Sequence, residues 1–129
     1  MADSTSIKTR SGLTFTADVA GPIDGPLVLL LHGFPESRRS WRAALPSLAA
    51  AGYRAVAPDQ RGYSADARPD PADLSNYAFD KLVNDAIEIV SAAGHDGRRF
   101  HLVGHDWGGQ VSWGVASATG SSAPPGYCA

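Results

Sequence analysis

The sequence predicts an α/β fold whose mostly parallel sheet carries helices on both faces. An uninterrupted apolar run, Leu27–Leu31, is typical of a strand buried on both sides of a sheet. From this run onward, strand-like and helix-like segments alternate, as in parallel sheets with crossover helices. The chain has 129 residues, of which 43% are hydrophobic and 19% charged, and this length and composition suit one globular domain.

The elements before residue 60 are predicted from propensity and from the turn residues between them. Residues 6–10 and 13–19 are two short strands, and the buried run is the third. A helical turn is expected at 40–44. A second helix then follows with Pro46 in its first turn, where proline is tolerated, and with Gly52 as its C-terminal cap. The next strand is predicted at 53–57.

The clearest helix is predicted over 76–94, ending at Gly94. Its apolar residues recur with a 3.6-residue period. These residues are Phe79, Leu82, Val83, Ala86, Ile87, Val90 and Ala93. A strand at 99–103, a tight turn at 104–109 and a helix at 110–116 complete the alternation.

Composition excludes several classes of partner. The net charge is −2 and the basic residues are scattered, so no nucleic-acid surface is expected. The one cysteine, Cys128, cannot form a disulfide within the chain, and the four histidines show no metal-ligand spacing. We therefore predict no metal and no cofactor. No signal-like segment and no membrane-length apolar run is present, so a cytoplasmic protein without a membrane partner is expected.

The strongest chemical signal is the glycine-flanked turn after the last predicted strand. Its sequence is Gly104-His105-Asp106-Trp107-Gly108-Gly109. A nucleophile elbow has the form G-x-Nu-x-G between a strand and a helix, which makes Asp106 the nucleophile. A carboxylate is already ionised at neutral pH, and it attacks an sp³ carbon to form an alkyl ester. An epoxide carbon or a carbon bearing a halide is a suitable electrophile.

A second motif follows the buried strand, at His32-Gly33-Phe34-Pro35. The oxyanion hole that accompanies such an elbow uses the N–H after the nucleophile and one N–H from this loop. These donors are predicted to be the backbone N–H groups of Trp107 and Phe34. A cis peptide is expected before Pro35.

Together with Ala57-Pro58-Asp59-Gln60-Arg61-Gly62-Tyr63-Ser64, these motifs resemble the α/β-hydrolase family, and most closely its epoxide-hydrolase branch. The resemblance covers about residues 13–116. It implies Asp106 as nucleophile, Phe34 and Trp107 as oxyanion donors, and a lid whose tyrosines protonate the epoxide oxygen. The resemblance also implies a structural role for His32 and for the motif residues Gly33, Pro35, Gly104 and Gly108. The implied substrate is a small apolar epoxide or a halogenated compound.

In the family pattern, the lid, the later strands, the orienting acid and the base histidine all follow the elbow. Here the sequence from residue 117 is Ser-, Gly- and Pro-rich and no longer resembles the family. We therefore expect a truncated hydrolase core at 1–116, without C-terminal strands or lid, and a flexible, unrelated tail at 117–129. Turnover is not expected. The strand at 99–103 would then have an open edge that favours self-association.

These observations leave three functions open. The first is that of an epoxide-hydrolase lineage, in which the ancestral enzyme hydrolyses epoxides through an ester on Asp106. The second is a haloalkane or haloacid dehalogenase with the same nucleophile. The third is a non-catalytic fragment or binding partner.

The remaining motif residues receive supporting roles. We expect Asp59, Arg61 and Tyr63 to brace the loop after the fourth strand. Trp41 and Trp113 are expected to be packing residues. His105 is expected to take a core or supporting position. The side chain of Trp107 is expected to line the substrate pocket or to hold a leaving halide. A catalytic role is assigned to neither His95 nor His101.

Overall fold

The computed structural model describes residues 2–95 and 98–119, and in this part of the chain five strands form one mixed sheet. The strand order across the sheet is β1-β2-β4-β3-β5. The strands are β1 Asp3–Lys8, β2 Thr14–Ala20, β3 Leu27–Leu31, β4 Arg54–Pro58 and β5 His101–Gly104. All five predicted strands are therefore present, with ends that differ from the predicted ones by up to three residues.

The sheet divides into a parallel part and an antiparallel part. β3 pairs in parallel with β4 and with β5, as the alternation of strands and helices predicts. β1 pairs antiparallel with β2, and β2 antiparallel with β4. Two of these four pairings are thus parallel, and the sheet is mixed rather than mostly parallel. The short turn between β1 and β2 allows only an antiparallel hairpin, because a parallel pair needs a longer crossover.

Helices cover both faces of the sheet, as predicted. All five residues of β3 are buried, and successive side chains point to opposite faces. One face packs its Val28 and Leu30 against Leu45 of helix α1, Ala44–Ala50. The other face packs its Leu27, Leu29 and Leu31 against helices α2, Phe79–Val90, and α3, Trp107–Ala118. β3 is therefore the central strand of both cores.

The first helical region differs slightly from the prediction. The short turn is a 3₁₀ helix at Arg38–Trp41, two residues earlier than expected, and the Ser37 hydroxyl caps it by accepting the Arg39 N–H at 3.2 Å. The prediction for α1 is confirmed. Pro46 is its third residue, and Gly52, with φ of 91°, follows it.

The second helical region begins later than predicted. A separate 3₁₀ turn covers Leu74–Tyr77, capped by the Asp73 carboxylate, which accepts the Ser75 N–H at 3.1 Å. Ala78 is extended, with ψ of 151°, so α2 begins only at Phe79. The predicted apolar stripe is also partly wrong. Ile89, which it leaves out, is buried, whereas Phe79, which it includes, is 43% exposed.

Helix α3 begins earlier and ends later than predicted. It runs from Trp107 to Ala118, so it includes part of the predicted turn 104–109 and crosses the predicted boundary at 116. Residues 120–129 of the predicted tail lie outside the described residues. No helix among the described residues has both the length and the apolar character needed to cross a lipid bilayer.

A buried ion pair joins the loop after β4 to α2. The Arg61 guanidinium donates from Nε and Nη2 to the two carboxylate oxygens of Asp85, both at 2.8 Å, and from Nη1 to the Asn76 carbonyl at 2.7 Å. Hydrogen bonding to Asp85 raises the pKa of Arg61. Both side chains are more than nine-tenths buried. Arg61 therefore braces the loop, as predicted.

Removing one partner of this pair leaves the other charge buried without compensation. We predict that Asp85→Ala lowers the free energy of unfolding by about 3–5 kcal/mol. Urea denaturation followed by circular dichroism measures the change. Asp80→Ala, on the exposed side of the same helix, is the matched control and should cost less than about 1 kcal/mol. Equal losses in the two variants would contradict the assignment.

Candidate active site

Asp106 occupies a strained bend between β5 and α3. Its backbone has φ of 58° and ψ of −119°, and it is the one non-glycine residue with positive φ among residues 2–95 and 98–119. Such a conformation costs about 1–3 kcal/mol for a residue with a side chain. The carboxylate stands at the N-terminal end of α3. This is the backbone geometry expected of a nucleophile elbow.

The glycines around the bend are required by close approach of other backbone atoms. A Cβ on Gly108 would lie 2.1 Å from the Leu31 carbonyl oxygen, and one on Gly104 would lie 2.4 Å from the Gly108 carbonyl oxygen. On the opposite loop, a Cβ on Gly33 would lie 2.6 Å from the Cβ of Asp106. The two motifs therefore touch, and only glycine fits at these three contacts.

Two backbone N–H groups donate hydrogen bonds to the Asp106 carboxylate. The Phe34 N–H donates to Oδ2 at 3.1 Å. Hydrogen bonds from the backbone N–H groups of Phe34 and then of Trp107 lower the pKa of Asp106 from its ordinary value of 3.8. The carboxylate is fully ionised at neutral pH, and the two N–H groups are placed to stabilise negative charge on its oxygens. The peptide between Phe34 and Pro35 is cis, which confirms the expectation from sequence.

His32 is a buried, fully hydrogen-bonded residue beneath this loop. It is 1% exposed, and its Nε2 accepts the Gln60 backbone N–H at 3.1 Å. Because Nε2 is the acceptor, Nδ1 carries the proton and donates to the Gly33 carbonyl at 2.9 Å. Burial lowers the pKa of His32, which keeps the ring neutral. These contacts suit a structural role.

The loop after β4 braces the site, as predicted. The Asp59 carboxylate accepts the Arg38 N–H at 2.7 Å, and the Asp59 carbonyl accepts the Ser64 hydroxyl at 2.6 Å. The Tyr63 ring stands edge-on to His32, with ring centroids 4.6 Å apart.

His105 lies at the surface beside Asp106, so the core alternative of its prediction is wrong and the supporting position stays a prediction. Its side chain is 69% exposed, and Nδ1 lies 3.2 Å from Oε1 of Glu36. Together with Ser40 and Trp41 and the buried His32, this pair lines a cavity of about 260 Å³. The bend points the Asp106 carboxylate at the Phe34 N–H, whereas the preceding His105 side chain contacts Glu36 and is otherwise largely exposed to solvent.

The tryptophans divide between packing and exposure. Trp41 packs against the smaller core, as predicted, but Trp113 is 61% exposed, and its predicted packing role is wrong because it lies on the outer side of α3. The Trp107 ring is half-buried and meets Phe79 edge-on, with centroids 6.3 Å apart. His95 is buried, and His101 stands edge-on to Tyr53, away from the elbow.

Two residues beside the site carry no prediction from sequence, Glu36 and Arg38. Glu36 belongs to the motif after β3, but nothing in its spacing indicates its contact with His105. Arg38 binds two buried carboxylates, Asp18 and Asp59. The one signal in the sequence is Asp18, an acid within a strand expected to be partly buried, since Asp59 lies in the loop after β4. No group of three His, Cys, Asp or Glu side chains in the described ranges could hold a metal ion.

Comparison with known proteins agrees with this geometry. The family model for the alpha/beta hydrolase fold matches residues 26–123. The chain therefore belongs to the α/β-hydrolase family, and its relatives include several epoxide hydrolases.

The curated relatives include the AB hydrolase superfamily protein YfhM of Bacillus subtilis, 42% identical over 83% of this chain and 36% of the relative. Epoxide hydrolase B of Mycobacterium tuberculosis is 47% identical over 78% of this chain and 27% of the relative. The solved epoxide hydrolase from an endophytic Streptomyces superposes with a TM-score of 0.79 at 43% identity, covering 90% of this chain and 33% of that one. The chain thus spans about a third of the length of these relatives.

The neutral His32 makes stability depend on pH. Its pKa is lowered in the folded state, so unfolding takes up a proton at a pH below the ordinary value of 6.5. We predict that the free energy of unfolding falls between pH 7.5 and about pH 5.5, by up to about 1.4 kcal/mol from this group. Denaturant titrations at the two pH values measure it.

An exposed residue without a titrating side chain provides the control for this prediction. Gln110→Ala, on the exposed face of α3, should keep the full loss of stability on acidification, whereas His32→Gln should reduce it. His95, whose pKa burial also lowers, contributes a loss of the same sign that both variants retain. A stability that rises on acidification over this interval would contradict the neutral state of His32.

Proposed function

We propose that this chain is the nucleophile-bearing part of an epoxide-hydrolase-type enzyme, in which Asp106 forms an alkyl ester with a small apolar epoxide. The observation that carries the proposal is the 3.1 Å hydrogen bond from the Phe34 N–H to Asp106 Oδ2 at a strained bend. A strained, exposed carboxylate that faces two backbone donors is suited to attack and to later charge on its oxygen.

The reaction begins with attack of an Asp106 oxygen on an epoxide carbon. The C–O bond of the epoxide breaks, and the alkoxide oxygen takes a proton from the solvent or from a lid residue. Hydrolysis of the ester then places negative charge on the carbonyl oxygen, which the N–H groups of Phe34 and Trp107 stabilise. The supporting roles fall to His32, which binds Gly33, and to Gly104 and Gly108, which allow the close approach.

The ester is expected to accumulate in this chain. Among the described residues, His32 is not free to activate water, because it is engaged in two hydrogen bonds. We therefore expect these residues to support alkylation of Asp106 without steady turnover.

Incubation with styrene oxide tests the nucleophile. We predict a mass increase equal to one epoxide, located on Asp106 by peptide mapping. Asp106→Asn should abolish the adduct, because the amide is not a comparable nucleophile. Asp24→Asn, which changes an exposed acid far from the bend, should leave it intact. Adducts spread over several acids would overturn the proposal, and steady release of diol would contradict the expected accumulation of the ester.

The same experiment separates the two other candidate functions. A dehalogenase lineage predicts that a haloalkane alkylates Asp106 with release of one halide ion, faster than the epoxide does. A non-catalytic fragment predicts a folded chain that forms no adduct with either compound. The resemblance of the motifs around Phe34 and Trp107 favours the epoxide.

We also propose that the chain self-associates through β5. β5 is the last strand in the sheet order among the described residues, so its outer edge lacks a strand partner there. The His105 N–H donates to the Leu31 carbonyl of β3 at 3.2 Å. Since backbone groups alternate along a strand, those of Leu102 and Gly104 point toward the open edge.

Hydrogen exchange at several protein concentrations tests this association. We predict that exchange of the Leu102 and Gly104 amides slows as concentration rises, because pairing at the edge protects them. The Val103 amide, which alternation directs at β3, is the internal control and should not change. A monomer in sedimentation equilibrium at all concentrations, with unchanged exchange, would contradict the proposal.

A further inference from the structure

The loop that carries the Phe34 donor is held at both of its ends by two consecutive residues after β4. At its start, the Gln60 N–H donates to His32 Nε2 at 3.1 Å, and Gln60 Nε2 donates to the His32 carbonyl at 2.6 Å. At its end, Asp59 Oδ1 accepts the Arg38 N–H at 2.7 Å. Between the two ends the loop is short, so movement at either end displaces the donor.

The Arg38 side chain strengthens the second attachment. Its Nη1 donates to Asp59 Oδ2, and its Nε donates to Oδ1 of Asp18 on β2 at 2.9 Å. Asp18 and Asp59 are 3% and 6% exposed, so both carboxylates need a partner within the protein. One guanidinium therefore fixes the loop against β2 and against the loop after β4, in a geometry that a fork of N–H donors can satisfy.

We propose that Arg38 is a positioning residue for this site, which keeps the Phe34 N–H aimed at Asp106. Arg38 touches neither the nucleophile nor a substrate, and it acts through the loop. The inference rests on the proposed function only in treating the Phe34 N–H as an oxyanion donor. The hydrogen bond itself is measurable without any reaction.

The amide proton resonances of the 129-residue chain test the proposal by nuclear magnetic resonance. An N–H that donates to a carboxylate resonates downfield, and Asp106→Ala supplies the reference value for Phe34 without its acceptor. We predict that Arg38→Gln moves the Phe34 resonance toward that reference and speeds its hydrogen exchange about tenfold, the loss expected for one charge-assisted hydrogen bond. The Trp107 amide, which is on α3, should keep its resonance.

Arg39→Gln is the matched control. It removes the same charge at the next residue, whose side chain is 60% exposed and lies 3.6 Å from Asp18, and it should leave Phe34 unchanged. Arg38→Lys keeps the charge but cannot bind both carboxylates, so it should give an intermediate shift. If Arg38→Gln fails to fold, the Arg38→Lys spectrum decides.

Three results would overturn the proposal. They are an unchanged Phe34 resonance and exchange rate in both Arg38 variants, an equal shift in Arg39→Gln, and equal movement of the Phe34 and Trp107 resonances. The styrene oxide adduct is a separate readout. A shifted Phe34 resonance with no adduct would leave the positioning role standing and reject the hydrolase function, and the reverse pattern would reject only the positioning role.

Discussion

The close approach of the turn after β5 to the end of β3 is the constraint on which the rest of the site depends. Gly108 lies so close to the Leu31 carbonyl, and Gly33 so close to Asp106, that a methyl group fits at neither position. Because the two strand ends meet there, Asp106, the residue just before α3, presents its carboxylate directly to the Phe34 N–H. The strain at Asp106 is tolerated because packing on both sides fixes the bend.

A second layer of polar contacts holds this arrangement from below. His32, Asp59 and Arg61 are each buried, and each has hydrogen-bond partners that face it. They tie the loop after β4 to the oxyanion loop on one side and to α2 on the other. Buried polar groups are costly unless they are paired, so these contacts specify one loop conformation more than they add net stability.

The residues on either side of Asp106 are largely exposed. The Phe34 side chain is 71% exposed and the His105 side chain 69% exposed. The chain spans about a third of the length of the relatives it matches. The proposed alkylation needs only the Asp106 carboxylate and its two backbone donors, all of which lie among the described residues.

Local sequence determined the parallel strands and the tight bend between β5 and α3. Apolar runs, a 3.6-residue period and glycines at fixed spacing each have a direct backbone consequence, which is why β3, α1 and the bend at Asp106 were predicted correctly. Tertiary structure alone decided the start of α2, the exposure of Trp113 and His105, and the contacts of Arg38. These features depend on atoms brought together from distant parts of the chain. Asp18 and Asp59, for example, bind the same Arg38 guanidinium, and no local sequence pattern predicts that contact.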